Sequence, residues 1–493
     1  MRIRLRYLLT TLVAATCAGA VGASPAMAGW TASRAVEPGV DPVLAFGPSG
    51  DAAIGSTVFS SCHDVVGTYL TLRPSRGAFG PAVSLAPRHG SCGDWPGVLT
   101  IALPSDGATV ALLGPLGADE QPIDAFARAR GVGGFGAPQQ LVPLGNANGD
   151  DPLPNATAIV DTARGEVVEV GEDDATHVST ATLEPGSTHF TVSPRAPAGL
   201  TNSDFIELAT DGAGGTFMAG DGNNGCTTVA YRPAHGAFAT TYRSTVCGDK
   251  LRNVVQGIAA TGDGYAALLS ESLDETGTGT SSLWIQVGRF GRFRAPVLLS
   301  SVVGRPFGVA TDRDAAATVA WTGCTPGPVL NDLLTLHSCN VYAQTGTAAG
   351  GFSGQPALIA PSAPGVRLDA TVADRAVAVR RCARHQRCTI AVAVARAGGR
   401  FAPLQRVTAR GRRLVTLQCD GHGDLVVVWS NYRGTLFAVT KAASARRFSV
   451  PHRLSGPGVN PATAAVAFGP AGEAIVAWSQ SGRTSAAVFS LTR

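Results

Sequence analysis

The stretch Phe46-Gly-Pro-Ser-Gly-Asp-Ala52 near the start of the chain is matched by Phe468-Gly-Pro-Ala-Gly-Glu-Ala474 near its end. Each stretch lies between two short apolar runs, and in other units a Gly-x-Phe-x-x-Pro phrase follows further along. The unit recurs about nine times with a period of roughly 50 residues. Short strands and glycine turns repeated at such a period are typical of a β-propeller.

Nine strand–turn–strand openings can be placed along the chain. They begin near Asp41, Leu99, Ala156, Ile206, Val254, Phe307, Leu368, Leu414 and Ala462. The closing phrases, such as Gly291-Arg-Phe293-Arg-Ala-Pro296 and Gly399-Arg-Phe401-Ala-Pro403, indicate the turn into an outer strand, where proline is tolerated. We expect the phenylalanine to wedge between neighbouring blades. The sequence therefore predicts an all-β fold, a single closed β-propeller of four-stranded antiparallel blades. Nine blades are expected, with eight as the alternative because the third to fifth units are degenerate.

The two ends of the chain predict how the ring closes. The last unit has three strands and no closing phrase, and Pro38-Gly-Val-Asp-Pro42 parallels Pro457-Gly-Val-Asn-Pro461. Residues 30–36 are therefore expected to supply the fourth strand of the last blade. Closure of this kind removes exposed sheet edges.

The first 28 residues predict a secretory signal peptide. Arg2, Arg4 and Arg6 precede an apolar run, and Ala26-Met27-Ala28 fits a cleavage site. The alternative, a transmembrane anchor, is disfavoured because glycine and proline interrupt a short run. We expect residues 29–493 to form one secreted propeller domain with no later membrane span.

The charge pattern argues against nucleic-acid binding. The net charge is only +4, and the basic residues are scattered along the chain. Only Lys250 and Lys441 are lysines among the 39 basic residues, which is typical of a high-GC bacterium.

Ten cysteines are present, and Cys17 lies in the predicted signal. Four pairs lie within single units, and secretion favours disulfides: Cys62 with Cys92, Cys226 with Cys247, Cys324 with Cys339, and Cys382 with Cys388. Cys419 is left over, and a buried thiol is expected there. A metal site is disfavoured because no Cys-x-x-Cys pair and no suitably spaced histidine occur.

Charged residues precede most of the innermost strands and would ring the mouth of the central channel. The acidic arc, in units one to five, comprises Asp41, Asp94, Asp150, Asp151, Asp204 and Asp249. The basic arc, in units six to eight, comprises Arg305, Arg367, Arg412 and Arg413, and the last unit carries Asn460 at this position. One interpretation is ordinary turn chemistry. The other is a ligand site that uses Asp94, Asp151 and Asp249 against Arg305, Arg367 and Arg413, suited to a ligand with hydroxyl and acid groups.

The repeats resemble those of uncharacterised secreted bacterial β-propeller proteins, of actinobacterial type, with the form FGPxGxAxVxW…GxFxxPxxL. The architecture is also similar to that of sialidases, but the Ser-x-Asp-x-Gly-x-Thr-Trp box is absent. The resemblance covers nearly the whole chain after the signal. It implies fold and secretion, and little chemistry.

Two functions follow as expectations. The first is a secreted, monomeric, non-enzymatic propeller that binds a cell-wall glycan or an extracellular protein through one face, without cofactor or metal. The alternative is a secreted glycoside hydrolase or lyase that uses aspartates at the channel mouth, since paired carboxylates can run glycoside hydrolysis. Fold alone does not decide between them.

Overall fold

A computed structural model describes most of the chain after residue 28. The described residues are 29–59, 65–86, 96–104, 109–115, 124–128, 135–136, 139–140, 157–161, 166–174, 177–193, 200, 206–211, 213–222, 225–247, 251–274, 281–330, 333–347, 350–363, 366–383, 388–395, 399–420, 422–460, 463–470 and 472–490. The predicted signal peptide lies outside them.

The described residues form β-strands joined by turns, with no α-helix among them. None of these residues belongs to a helix that is long and apolar enough to cross a membrane. The strands group into nine antiparallel sheets, numbered 1 to 9 along the chain.

Two short N-terminal strands and sheets 1 to 3 come first. The N-terminal strands are β1 (Gly29–Trp30) and β2 (Arg34–Pro38). Sheet 1 contains β3 (Val40–Phe46), β4 (Ala52–Phe59), β5 (Val65–Arg73) and β6 (Ala82–Ala86), and sheet 2 contains β7 (Pro96–Ala102), β8 (Thr109–Pro115), β9 (Asp124–Arg128) and β10 (Gln139–Gln140). Sheet 3 contains β11 (Thr157–Asp161), β12 (Glu166–Asp174), β13 (His177–Leu183) and β14 (Thr191–Ser193).

Sheets 4 to 6 follow the same order. Sheet 4 contains β15 (Ile206–Thr210), β16 (Thr216–Gly222), β17 (Cys226–Arg232) and β18 (Ala239–Arg243). Sheet 5 contains β19 (Leu251–Thr261), β20 (Tyr265–Asp274), β21 (Ser281–Arg289), β22 (Arg292–Phe293) and β23 (Val297–Ser300). Sheet 6 contains β24 (Val303–Thr311), β25 (Ala316–Leu330), β26 (Leu333–Thr347) and β27 (Ala357–Ala360).

Sheets 7 to 9 complete the described chain. Sheet 7 contains β28 (Arg367–Ala373), β29 (Ala376–Cys382), β30 (Cys388–Val394) and β31 (Gln405–Gly411). Sheet 8 contains β32 (Arg413–Cys419), β33 (Leu425–Ser430), β34 (Leu436–Lys441) and β35 (His452–Arg453). Sheet 9 contains β36 (Ala465–Phe468), β37 (Glu473–Gln480) and β38 (Arg483–Ser490), together with β1 and β2. The predicted all-β class and the four-stranded antiparallel units are confirmed.

Middle strands are buried on both faces because each is covered by the sheets on either side. Every residue of β33, Leu425–Ser430, is buried, which explains a continuous apolar run rather than an alternating one. Separate apolar clusters join sheets 9 and 1, 1 and 2, 4 and 5, 5 and 6, 6 and 7, 7 and 8, and 8 and 9. The core is therefore divided into layers between sheets.

The phenylalanine of the closing phrase packs between sheets, as predicted. In sheet 5, the Phe293 ring lies 6.4 Å from Phe217 and 5.2 Å from Tyr242, both in sheet 4. Phe401 contacts the cluster between sheets 6 and 7, and Phe448 contacts the cluster between sheets 7 and 8.

The N-terminal segment pairs with the last sheet, as predicted. Gly29 and Trp30 pair with Ser490 and Phe489, and β2 pairs with the other half of β38. The same segment also contacts sheet 1, since Ser56 Oγ donates a 2.6 Å hydrogen bond to the Pro38 carbonyl.

Three of the four predicted disulfides are present: Cys226–Cys247, Cys324–Cys339 and Cys382–Cys388. Cys62 and Cys92 lie outside the described residues. Cys419 takes part in none of these three bonds and is half-buried at the end of β32 rather than fully buried. Disulfides of this kind are compatible with an extracellular protein.

Candidate functional site

The first strands of the sheets begin at a common side of the molecule. Seven of the nine sheets have four antiparallel strands, and in sheets 5 and 9 two short strands share the outer position, so the chain returns to the same side before the next sheet starts. The first strands of neighbouring sheets also pack on one another, as β24 does on β28 and β28 does on β32. We call this side the mouth face.

Three charged side chains of sheets 6 and 7 meet at the mouth face. Arg305 Nη1 lies 3.7 Å from Asp369 Oδ1, and Arg380 Nη2 lies 3.3 Å from Asp369 Oδ2. Asp369 and Arg380 are directly opposite each other on β28 and β29. The carboxylate therefore holds one guanidinium group from each of two sheets.

The cluster extends to sheet 8. Arg380 Nη1 donates a 2.9 Å hydrogen bond to the Arg412 carbonyl oxygen. The Arg412 N–H in turn donates to the Ser430 carbonyl. Hydrogen bonds from a guanidinium group to fixed acceptors orient its plane. Arg305, Asp369 and Arg380 together therefore link three consecutive sheets.

The three predicted arginines all lie at this face. Arg305 is the third residue of β24, while Arg367 and Arg413 are the first residues of β28 and β32. All three are exposed, and the Arg305 side chain is 70% exposed despite its contact with Asp369. Arg367 is two residues before Asp369, so both project from the same side of β28.

The acidic half of the predicted site is described only in part. Asp94, Asp151 and Asp249 lie outside the described residues, as do Asp150 and Asp204. Asp41 is described, and its backbone N–H donates a 2.9 Å hydrogen bond to Ser479 Oγ of sheet 9.

Two carboxyl groups on first strands have raised pKa values. Burial raises the pKa of Asp41 on β3 and the pKa of Glu207 on β15. Both residues remain accessible to solvent, as expected for side chains on an open face flanked by protein. A carboxyl group with a raised pKa can hold a proton for donation to a leaving group.

Sequence reasoning missed Asp369, Arg380 and Glu207. The available signal for the first two was register: the turn at Asp374 and Arg375 closes the β28–β29 hairpin and sets Asp369 opposite Arg380. Glu207 is the second residue of a first strand, whereas the charges predicted from the sequence come before the strands.

Aspartates at the opposite ends of the first strands have a structural role. Asp211, Asp312 and Asp420 each accept two backbone N–H bonds within the turn to the second strand. Turn chemistry therefore explains these acids. In the described part of the chain, no group of three or more His, Cys, Asp or Glu residues is placed to hold a metal ion.

No protein-family model matches this chain, and no curated protein does. Solved structures are similar in shape. The WD40 domain of SCAP from fission yeast matches with a TM-score of 0.47 and 8% identity, over 94% of this chain and 98% of that one.

Two enzymes are also similar. A puromycin hydrolase matches with a TM-score of 0.40 and 15% identity, over 91% of this chain and 59% of that one. An ulvan lyase of polysaccharide lyase family PL25 matches with a TM-score of 0.35 and 9% identity, over 72% of this chain and 93% of that one. This chain matches little more than half the length of the puromycin hydrolase and of a similar prolyl endopeptidase.

These comparisons correct one prediction. The expected non-enzymatic binding protein is contradicted, because the puromycin hydrolase, the prolyl endopeptidase and the ulvan lyase are all enzymes. The enzymatic alternative fits these findings better. At such low similarity the likenesses bear on architecture alone, so the argument for a reaction has to come from the site.

Proposed function

We propose that this protein is an extracellular polysaccharide-degrading enzyme, a glycoside hydrolase or a lyase, that takes an acidic polysaccharide at the mouth face. One observation carries the proposal: arginines from three consecutive sheets lie together there. Arg305, Arg380 and Arg412 are linked through Asp369 and a carbonyl, and Arg367 and Arg413 stand exposed beside them.

The arginines suit an anionic sugar. A guanidinium group matches the geometry of a carboxylate or a sulfate, with two parallel N–H donors. Asp369 neutralises only part of the local positive charge, and its contacts hold Arg305 and Arg380 in place before a ligand arrives. Pre-ordered groups lose less entropy on binding.

Either cleavage route can use this arrangement. In an elimination, arginines neutralise the uronate carboxylate, which makes the adjacent C–H more acidic. An ionised carboxylate then takes that proton, the C–O bond to the leaving sugar breaks as the C=C bond forms, and a protonated carboxyl group gives the leaving oxygen its proton. In a hydrolysis, a protonated carboxyl group gives the leaving oxygen its proton as the glycosidic bond breaks, and a second, ionised carboxylate activates the water that bonds to the anomeric carbon. Asp41 and Glu207 are the proposed proton donors, because burial raises the pKa of each.

We further propose that the nine sheets close into one nine-bladed ring. Support comes from the junction of sheets 9 and 1. Arg73 of β5 forms an ion pair with Glu473 of β37 at 2.9 Å, and Arg34 of the N-terminal segment donates to the Phe79 carbonyl of sheet 1. In such a ring the mouth face surrounds the central channel.

The test is incubation of the protein with acidic and neutral polysaccharides. Polygalacturonate, alginate and chondroitin sulfate form the acidic set, and dextran and starch form the neutral set. New reducing ends report any cleavage, and the ultraviolet absorbance of an unsaturated uronate reports elimination. Cleavage confined to acidic substrates supports the proposal. No cleavage of the acidic set, or cleavage of the neutral set alone, contradicts it.

A further inference from the structure

The second and third strands of sheet 6 are much longer than those of the next sheet. Strands β25 and β26 have 15 residues each, whereas the corresponding strands of sheet 7 have 7 residues each. Gly323 of β25 lies opposite Val303, the first residue of β24, and β25 and β26 continue beyond that point as a paired ribbon. We call this extension, residues 324–330 and 333–339, the arm. Because the first strands begin at the mouth face, the arm projects from that face.

A disulfide fixes the base of the arm. Cys324 and Cys339 are joined with their Cα atoms 4.0 Å apart, and the bond lies so close to Gly304 of β24 that a Cβ there would collide with Cys324 Sγ. The Cys324 N–H also donates to the Val302 carbonyl. The arm is therefore held against the strand that carries Arg305, and at roughly 3.3 Å per residue it extends up to about 20 Å beyond it.

The arm is a ribbon of only two strands. Beyond its base, and among the described residues, its strands pair with each other and with no further strand. Such a ribbon is marginally stable in water, and three or more strands with an apolar face are needed for stability. Register and alternation place four apolar residues on one face of the arm: Pro326, Val329, Leu334 and Leu336. An apolar face between unpaired edges favours the addition of another strand.

The two edges of the arm differ in their ability to accept a strand. The β25 edge carries Pro326 and Pro328, which have no N–H to donate and which protect an edge from pairing. The β26 edge, residues 333–339, contains no proline and no Asp, Glu, Lys or Arg. Only the β26 edge can therefore pair along its whole length.

We propose that this edge pairs with the same edge of a second copy of the chain, which makes the protein a two-fold symmetric dimer. Antiparallel pairing about an axis at Leu336, the middle of residues 333–339, joins the two arms into one four-stranded sheet. The apolar faces of both arms then lie on the same side of that sheet. No like charges meet, because the paired segment carries none. The contact is closed and the prolines block the outer edges, so the assembly stops at two copies.

The dimer sets the two mouth faces opposite each other. Paired arms run in opposite directions and each begins at its own mouth face, so the gap between the faces is about 20 Å, the length of one arm. This assembly differs from the monomer expected from the sequence. It does not depend on the proposed cleavage, because the state of assembly alone tests it.

The sequence of the arm favours a protein strand over a lipid surface. Asn331 and Asp332 connect the two strands of the arm. An arm that entered a membrane end-first would carry this aspartate inwards ahead of its leucines, and a charge inside a bilayer is costly. Edge-to-edge pairing leaves the connection at the end of the new sheet, where water can reach it.

Sedimentation velocity of the chain from Gly29, at a series of concentrations, tests the proposal, and a dimer is the expected result. Leu336→Lys places two positive charges opposite each other at the centre of the contact and is expected to weaken the dimer about tenfold or more. Leu330→Lys makes the same change on the other strand of the same arm. It is the matched control and leaves the dimer unchanged.

A cross-linking variant gives a second measurement that does not depend on weakening the dimer. Leu336→Cys brings two thiols together at the axis, so mild oxidation is expected to give a covalent dimer on a non-reducing gel, whereas Leu330→Cys is not. A chain that is monomeric at every concentration would overturn the proposal, as would assemblies larger than two. A dimer that Leu336→Lys leaves intact and Leu336→Cys does not cross-link would also overturn it. So would a monomer that binds phosphatidylglycerol vesicles through the arm.

Discussion

Arg73 and Glu473 form a buried ion pair between the first and last sheets. Their side chains are 5% and 10% exposed, and two N–H groups of Arg73 meet both carboxylate oxygens. Removing one partner leaves a charge buried without compensation. Glu473→Ala is therefore expected to reduce the free energy of unfolding by about 3–5 kcal/mol, measured by denaturant titration.

A double variant separates charge from packing in this pair. Arg73→Met with Glu473→Met replaces both charges by apolar groups, and stability close to that of the original protein is expected. If Glu473→Ala alone reduces the free energy of unfolding by less than about 1 kcal/mol, the pair is not buried as described.

Glu37 of β2 is a second buried acid near this junction, and its carboxyl group predicts a pH dependence. Burial raises its pKa to about 8, while a hydrogen bond from Thr71 Oγ1 acts in the opposite direction. Its Oε1 has no hydrogen-bond partner among the described residues. The folded protein therefore keeps the proton at pH values where the unfolded chain has released it.

The raised pKa gives this linkage a definite sign. The stabilisation that the neutral Glu37 carboxyl group contributes is complete below the unfolded pKa of about 4.5 and declines as pH rises towards about 8. The decline is on the order of 5 kcal/mol. Glu37→Gln is expected to flatten this part of the stability profile, measured by unfolding between pH 5 and about 9. A variant with the same pH profile as the original protein would refute this assignment.

Individual residues were the least predictable part of the site. The arginines at strand starts could be read from the sequence because the repeat marks where each first strand begins. Asp369 and Arg380 could not, because their contact depends on hairpin register and a slip of one residue would turn one of them to the other face.

Among the elements, the disulfides were predictable because both partners lie in one repeat unit. The Cys226–Cys247 bond spans 21 residues and the Cys382–Cys388 bond spans 6. In the loop-entropy model, cross-links over longer loops stabilise more. A Cys226→Ala, Cys247→Ala change removes this bond and is expected to reduce the free energy of unfolding by about 3 kcal/mol.

The matched control is a Cys382→Ala, Cys388→Ala change, which is expected to cost less. Calorimetric melting of both variants compares them. A larger loss from the short loop would contradict the loop-entropy account. Peptide mapping without reduction tests the predicted Cys62–Cys92 bond in the same samples.

The strands themselves could be predicted from the local sequence, but their exact ends could not. The unit predicted to begin near Phe307 starts at Val303 in β24, and the one predicted near Ala462 starts at Ala465 in β36. Strand ends depend on bulges, such as the one between Pro306 and Gly308, that are set by packing against the next sheet.

The full set of sheets was predictable because the repeat carries the same signal many times. The N-terminal segment was recognised as part of the last sheet from the matched Pro-Gly-Val-Asp/Asn-Pro motif, and β1 and β2 do pair with β38. The site was not predictable in this way, because the charges that meet at the mouth face come from three different units and their contact depends on how those sheets pack together.

The proposed closure of the ring predicts the effect of removing the N-terminal segment. A chain that begins at residue 41 lacks β1 and β2, so β38 becomes an exposed edge. A lower melting temperature and concentration-dependent self-association are expected, measured by calorimetry and light scattering against a chain that begins at Gly29. A shortened chain that associates no more than the longer chain and melts at the same temperature would contradict closure.

The most direct measurement is the initial rate of cleavage of an acidic polysaccharide by the original protein and by an Arg305→Ala, Arg367→Ala double variant, with Arg406→Ala as the control. We predict that the original protein and the control cleave at similar rates. The double variant should lose about a hundredfold or more in kcat/KM, because two charge-assisted contacts are removed. A double variant as active as the original protein would contradict a substrate site at the mouth face.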